Sequence, residues 1–187
     1  MASANDKARF ELGWRNHWLQ AWPILIHSTV LLLCPAYFYV KFGPESLSYA
    51  LKAAVVILLV VLIPHVIIHV RYTLLCVGTV IEMDRVRLLI RSRTSSICVR
   101  WSDVERVVVT QTRAQQNGAL QWFPWDSYCY ATILCKDGRK FVVLSLLVPR
   151  LEMPFGKKKV ESSGVLYAWP PRIAYNEGRP NEELQTN

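Results

Sequence analysis

No histidine follows Arg71 in this chain of 187 residues, and no serine-nucleophile elbow (GxSxG), P-loop or glycine-rich dinucleotide turn occurs anywhere in it. Without an imidazole to exchange protons near neutral pH, or a backbone cradle for phosphates, the second half of the chain lacks the usual equipment of a hydrolase, kinase or dehydrogenase. Asp103 and Glu105 sit two apart, but on a presumed turn entering a strand, where two solvated carboxylates need no catalytic explanation. The reading is that the protein is not an enzyme. Metal-type cysteine spacing is also missing. Cys34, Cys76, Cys98, Cys129 and Cys135 form no CxxC pair, and five is an odd number for a disulfide framework. They read as reduced cysteines, behaving as small hydrophobes, with no metal.

Charge is absent from two long stretches. Asn16 to Val40 has 25 residues without Asp, Glu, Lys or Arg, and Ala53 to Val70 has 18. At about 1.5 Å per helical residue, each is long enough or nearly so to cross a hydrocarbon core of roughly 30 Å. A cleaved signal sequence is the competing reading of the first stretch. Its apolar run, however, exceeds the roughly 7–15 residues of a signal-peptide core, and no small-residue cleavage site follows. The connector KFGPESLSY contains Gly43 and Pro44, so it turns tightly. The expectation is a membrane hairpin with spans at about 19–40 and 50–70.

Lysine and arginine set the orientation. Lys7, Arg9 and Arg15 precede the first span, and Arg71, Arg85, Arg87, Arg91 and Arg93 follow the second, against Lys41 and Lys52 around the connector. The excess predicts that both termini are cytoplasmic. Trp14, Trp18 and Trp22 at one end, with Tyr37, Tyr39 and Tyr49 at the other, match the aromatic belts of a bilayer interface.

From Tyr72 the period changes. YTLLCVGTVIEM, VRLLIRS, SSICVRW, DVERVVVTQT, YCYATILC and KFVVLSLL are rich in β-branched residues, and a polar turn at Asp84-Arg85 follows the first of them. Lys136-Asp137-Gly138-Arg139 is a hairpin signal, because Asp and Gly both tolerate positive φ. At least six strands with hairpin-length connections predict a small antiparallel barrel or sandwich and disfavour a parallel α/β sheet. The expected organisation is a cytoplasmic segment at 1–18, the hairpin at 19–71, a β-domain at 72–150 and an extended Pro-rich tail at 151–187 that carries Lys157, Lys158 and Lys159.

A membrane hairpin followed by Arg71, Tyr72 and Leu74, and then by Ser102, Asp103, Val104, Val107 and Val109, resembles the bacterial pleckstrin-homology-like membrane proteins. The resemblance covers roughly residues 72–147. It implies a two-sheet, partly closed PH-like barrel or sandwich, capped by a C-terminal helix, that binds or assembles and does not catalyse, in a bacterial cytoplasmic membrane. Pro149, Pro154 and Gly156 stand where the capping helix belongs, so a partner is expected to cover that end.

Three sets of residues are candidates for function. Histidine within a membrane span is functional by default, and His27 and His65, placed at similar depth on antiparallel helices, are candidate axial ligands of a haem b. The plain alternative is that they hydrogen-bond across the hairpin, with no cofactor. Arg85, Arg87, Arg91 and Arg93 lie on successive strands and are candidates for anionic lipid headgroups, or else form a solvated edge. Stacking aromatics are not interleaved with them, which argues against nucleic acid. The aromatic loop with Leu120, Trp122, Phe123 and Trp125, together with Trp169 in the tail, is a candidate partner interface. These readings point to a scaffold subunit of a larger membrane protein complex, with a haem-binding anchor and an anionic-lipid-responsive regulator as alternatives.

Overall fold

The computed structural model describes residues 8–93, 95–119, 121–151 and 160–171. Leu120, the lysines at 157–159 and the end of the tail lie outside them. The chain opens with a short strand, β1 (Ala8–Glu11), and then enters two long helices, α1 (Trp14–Phe42) and α2 (Glu45–Cys76). Gly43, at φ 85°, makes the tight turn between them. Both helices continue through their internal prolines, Pro23, Pro35 and Pro64. They are long and apolar enough to cross a membrane.

The helices exceed their expected bounds, and at one end the expectation was of the wrong kind. Tyr72 to Cys76 looks like the start of a strand, yet it forms the last turns of α2. Val61, His65, Ile68, Tyr72 and Cys76 are buried, spaced by three or four residues. That is the period of one helix face, and a core waiting on that face outweighs the local preference of Tyr and Thr for strand. Gly78, at φ 76°, then turns the chain into the sheet.

Seven strands follow: β2 (Val80–Met83), β3 (Arg87–Arg91), β4 (Ser96–Arg100), β5 (Val104–Thr112), β6 (Tyr130–Cys135), β7 (Lys140–Leu144) and β8 (Val160–Val165). They form two four-stranded sheets, in the orders β1-β2-β3-β4 and β7-β6-β5-β8. Among the described residues nothing closes the two sheets into a barrel, and the form is a sandwich. The Asp84 turn forms as expected, its carboxylate accepting the backbone N–H of Val86 and Arg87 at 2.8 and 2.7 Å. These bonds hold its pKa below the usual carboxylate value. Gly138, at φ 84°, closes the β6–β7 hairpin.

Two pairings depart from the expected organisation. β1 pairs antiparallel with β2, Glu11 opposite Val80, so the hairpin is an insertion between neighbouring strands of one sheet. β8 lies within the segment read as an extended tail, and it pairs parallel with β5 from Val107–Val160 to Thr112–Val165. The core spans both sheets and takes in the foot of α2: Ile68, Tyr72 and Cys76 join Ile81, Leu88, Val107, Ile133, Val143 and Leu146 in one cluster.

Candidate functional site at the hairpin junction

All four histidines lie on the two helices, and three of them meet the β-sandwich around one residue, Tyr128. Its hydroxyl is 2.6 Å from Nδ1 of His69, whose Nε2 is 3.0 Å from Nδ1 of His17 on α1. The ring of Tyr128 lies edge-on to His65 at 5.6 Å and to Tyr72 at 5.0 Å between centroids. Tyr128 is fully buried, and burial pushes its hydroxyl well above the usual tyrosine pKa, so it stays protonated. A protonated phenol and two neutral imidazoles satisfy this chain in either direction, because each member can donate once and accept once.

Polar bonds continue along α1. Asn16 donates to the carbonyl of Leu146 at 2.8 Å, and the Ser127 hydroxyl lies 3.4 Å from the Gln20 carbonyl and 2.9 Å from that of Pro124. Higher on the helix, both ring nitrogens of His27 face backbone carbonyls, Pro23 at 2.7 Å and Trp122. Among the described residues, Gln20 Oε1 and His65 Nδ1 are buried without a partner. The foot of α2 is strapped by the tail. Tyr72 donates to the Ala168 carbonyl at 2.8 Å, and Arg71 donates to that of Pro170 while its guanidinium covers the Trp169 ring at 4.5 Å.

The depth match proposed for a haem does not hold. The short turn at Gly43 and the His17–His69 contact place His27 level with about Leu59, so His27 and His65 are offset by about six residues, or ~9 Å along the hairpin. His27 also faces two carbonyls, to one of which a neutral imidazole can donate. Among the described residues, no group of three or more His, Cys, Asp or Glu is placed to hold a metal ion. Burial raises the Cys129 and Cys135 thiols to about 11, so both stay protonated.

The candidate aromatics part company. Trp125 is only 6% exposed and stacks on Phe123 with centroids 4.5 Å apart, whereas Trp122 is 68% exposed. Trp125 is therefore a core residue, and Trp122, Phe123 and Trp169 keep exposed surface. Replacing Trp125 with Ala is expected to cost about 3–5 kcal/mol of stability, and Trp122 with Ala no more than about 0.5. Thermal unfolding of the two variants in detergent checks the contrast.

The arginines do not form one face. Arg87 and Arg91 lie on β3 with Arg100 opposite Arg87, but Arg85 and Arg93 occupy the turns at opposite ends of that strand. Arg87 is paired with Asp84 at 3.2 Å, and Arg91 lies 3.9 Å from Glu82. Arg93 rests against Gly78, just beyond α2. Sequence reasoning also missed Tyr128, Asn16 and Gln20, whose roles depend on contacts across more than fifty residues and leave no local pattern. The four-residue spacing of His65 and His69 puts them on one helix face.

Comparison with curated proteins and with solved structures gave no match. A family model described as a PH domain matches residues 9–153, a span that begins in β1 and takes in the whole helical hairpin. The strand that precedes the hairpin and those that follow it are thus parts of one unit, and the chain belongs to the PH domain family.

Proposed function

We propose that this chain is a non-enzymatic membrane scaffold subunit, whose hairpin inserts in the bilayer and whose PH domain is presented to a larger membrane assembly. The observation that carries the reading is the shared core: the foot of α2 is packed inside the sandwich, so the anchor and the domain form one body. A flexible tether only localises a domain, whereas a shared core also fixes its orientation to the membrane.

Insertion is supported by what the helices leave outside. Leu25, Val30, Leu33, Val56, Val60 and Ile63 are exposed on a continuous apolar surface far larger than a water-soluble monomer normally tolerates. A soluble core helix would be mostly buried, and a signal sequence would not account for α2. The lysine and arginine asymmetry supports cytoplasmic termini, and the resemblance to bacterial PH-like proteins supports a bacterial cytoplasmic membrane. Leu166, Tyr167 and Trp169 form an exposed apolar run beside the foot of the hairpin, suited to a partner protein.

The test is affinity purification in mild detergent followed by mass spectrometry. The expected result is co-purification of a defined membrane protein, weakened by Leu166→Ala with Trp169→Ala. Recovery of a lone monomer overturns the scaffold reading, and release of the protein by alkaline carbonate overturns insertion.

A further inference from the structure

We infer that the segment from Gln121 to Ser127 is a finger that enters the bilayer beside the hairpin, with Trp122 and Phe123 against acyl chains. The inference rests on the proposed membrane insertion and concerns how far the β-domain follows the helices.

Depth is the first argument. Tyr128, at the base of the finger, contacts His69, which lies level with His17. Trp122, at its tip, gives its carbonyl to His27, ten residues further along α1, or about 15 Å toward the hairpin tip. His27 is level with about Leu59, which falls inside the charge-free stretch from Ala53 to Val70. Lys52 and Arg71 bound that stretch, and at about 1.5 Å per residue it measures about 27 Å, close to one hydrocarbon core. Any placement that lets this stretch span puts the tip of the finger below the headgroups.

The finger's backbone polar groups also find partners within the protein. Irregular backbone survives at membrane depth only where protein or enclosed water satisfies it. Here the Trp122 carbonyl faces His27, the Phe123 N–H donates to the buried Asp126 carboxyl at 3.1 Å, and the Ser127 hydroxyl donates to the Pro124 carbonyl. From Trp122 onward the exposed side chains are apolar: Trp122 and Phe123 are exposed beside the apolar helices, and the exposed amide of Gln121 lies at the edge of the segment. An imidazole and a carboxyl group next to a lipid-facing helix, otherwise costly, are explained as the pair that seals the finger's backbone.

Spin labels test the inference in the full chain, reconstituted in phosphatidylcholine–phosphatidylglycerol vesicles. Cys34→Ala and Cys98→Ser remove the exposed thiols. Single labels are then placed at Trp122→Cys, at Phe123→Cys as a second position on the finger, at Val56→Cys on the hairpin and at Asp137→Cys on the far β-turn. Collision with oxygen, compared with collision with a water-soluble nickel chelate, reports depth. The expected ratio is several-fold higher at residues 122 and 123 than at 137, and approaches that at 56. A lipid-like value at 56 with water-like values at 122 and 123 overturns the finger alone. Water-like values at all three positions overturn the membrane reading and the finger with it.

Discussion

Joining Leu12 to Thr79 through a short glycine–serine linker, so that the hairpin is excised, is expected to unfold the β-sandwich and not to release it as a soluble domain. The geometry permits the junction, because Glu11 and Val80 are already opposite each other in the β1–β2 ladder. What is lost is core. Ile68, Tyr72 and Cys76 are 2% exposed or less, and Tyr128 packs on the foot of the same helix. Fully burying a large apolar side chain contributes about 1.5–3 kcal/mol. Removing three such groups, and baring the residues beneath them, consumes much of the roughly 5–15 kcal/mol that holds a domain together. Circular dichroism checks it: the excised protein should show no cooperative melt. A sharp transition with native-like near-ultraviolet signal would mean that the hairpin is only an anchor.

The second large effect is expected at Tyr128. Replacing it with Ala opens a cavity where His65, His69 and Tyr72 converge, at a cost of about 3–5 kcal/mol. Tyr128→Phe keeps the ring and removes only the hydroxyl, leaving Nδ1 of His69 without its partner at a cost of about 1–3 kcal/mol. Chemical unfolding in detergent measures both. A double-mutant cycle with His69→Ala separates the hydrogen bond from the packing, since the cost of losing the hydroxyl should vanish once the imidazole is gone. If Tyr128→Phe is neutral while His69 is present, the His17–His69–Tyr128 chain contributes nothing to stability. The loss would then lie in packing alone.

These effects share an origin that local sequence does not show. The aromatic loop reads as one cluster of interchangeable large residues, yet Trp125 enters the core and Trp122 stays outside. Three positions apart on an irregular segment, they differ because the 3-10 turn at Pro124–Ser127 turns one ring against Phe123 and Tyr167, while the other is left beyond the His27 contact. No period governs such a segment, so no pattern separates the two. The arginines fail differently. Alternation pairs Arg85 with Arg87 and Arg91 with Arg93, but it cannot say that the strand runs only from Arg87 to Arg91 and leaves Arg85 and Arg93 in turns.

By itself the sequence determined the features set by neighbours: two long apolar helices from charge-free runs, a tight turn at Gly43, the Asp84 and Asp137-Gly138 hairpins, and the strands between them. In each case the deciding interactions lie within a few residues, or within one helical or pleated face. Tertiary structure alone decided that β1 pairs with β2 across the inserted hairpin, that β8 returns parallel to β5, and that Tyr72 to Cys76 is helix. Those outcomes depend on partners more than fifty residues away, or on a core into which one helix face can be buried. A window of sequence contains neither.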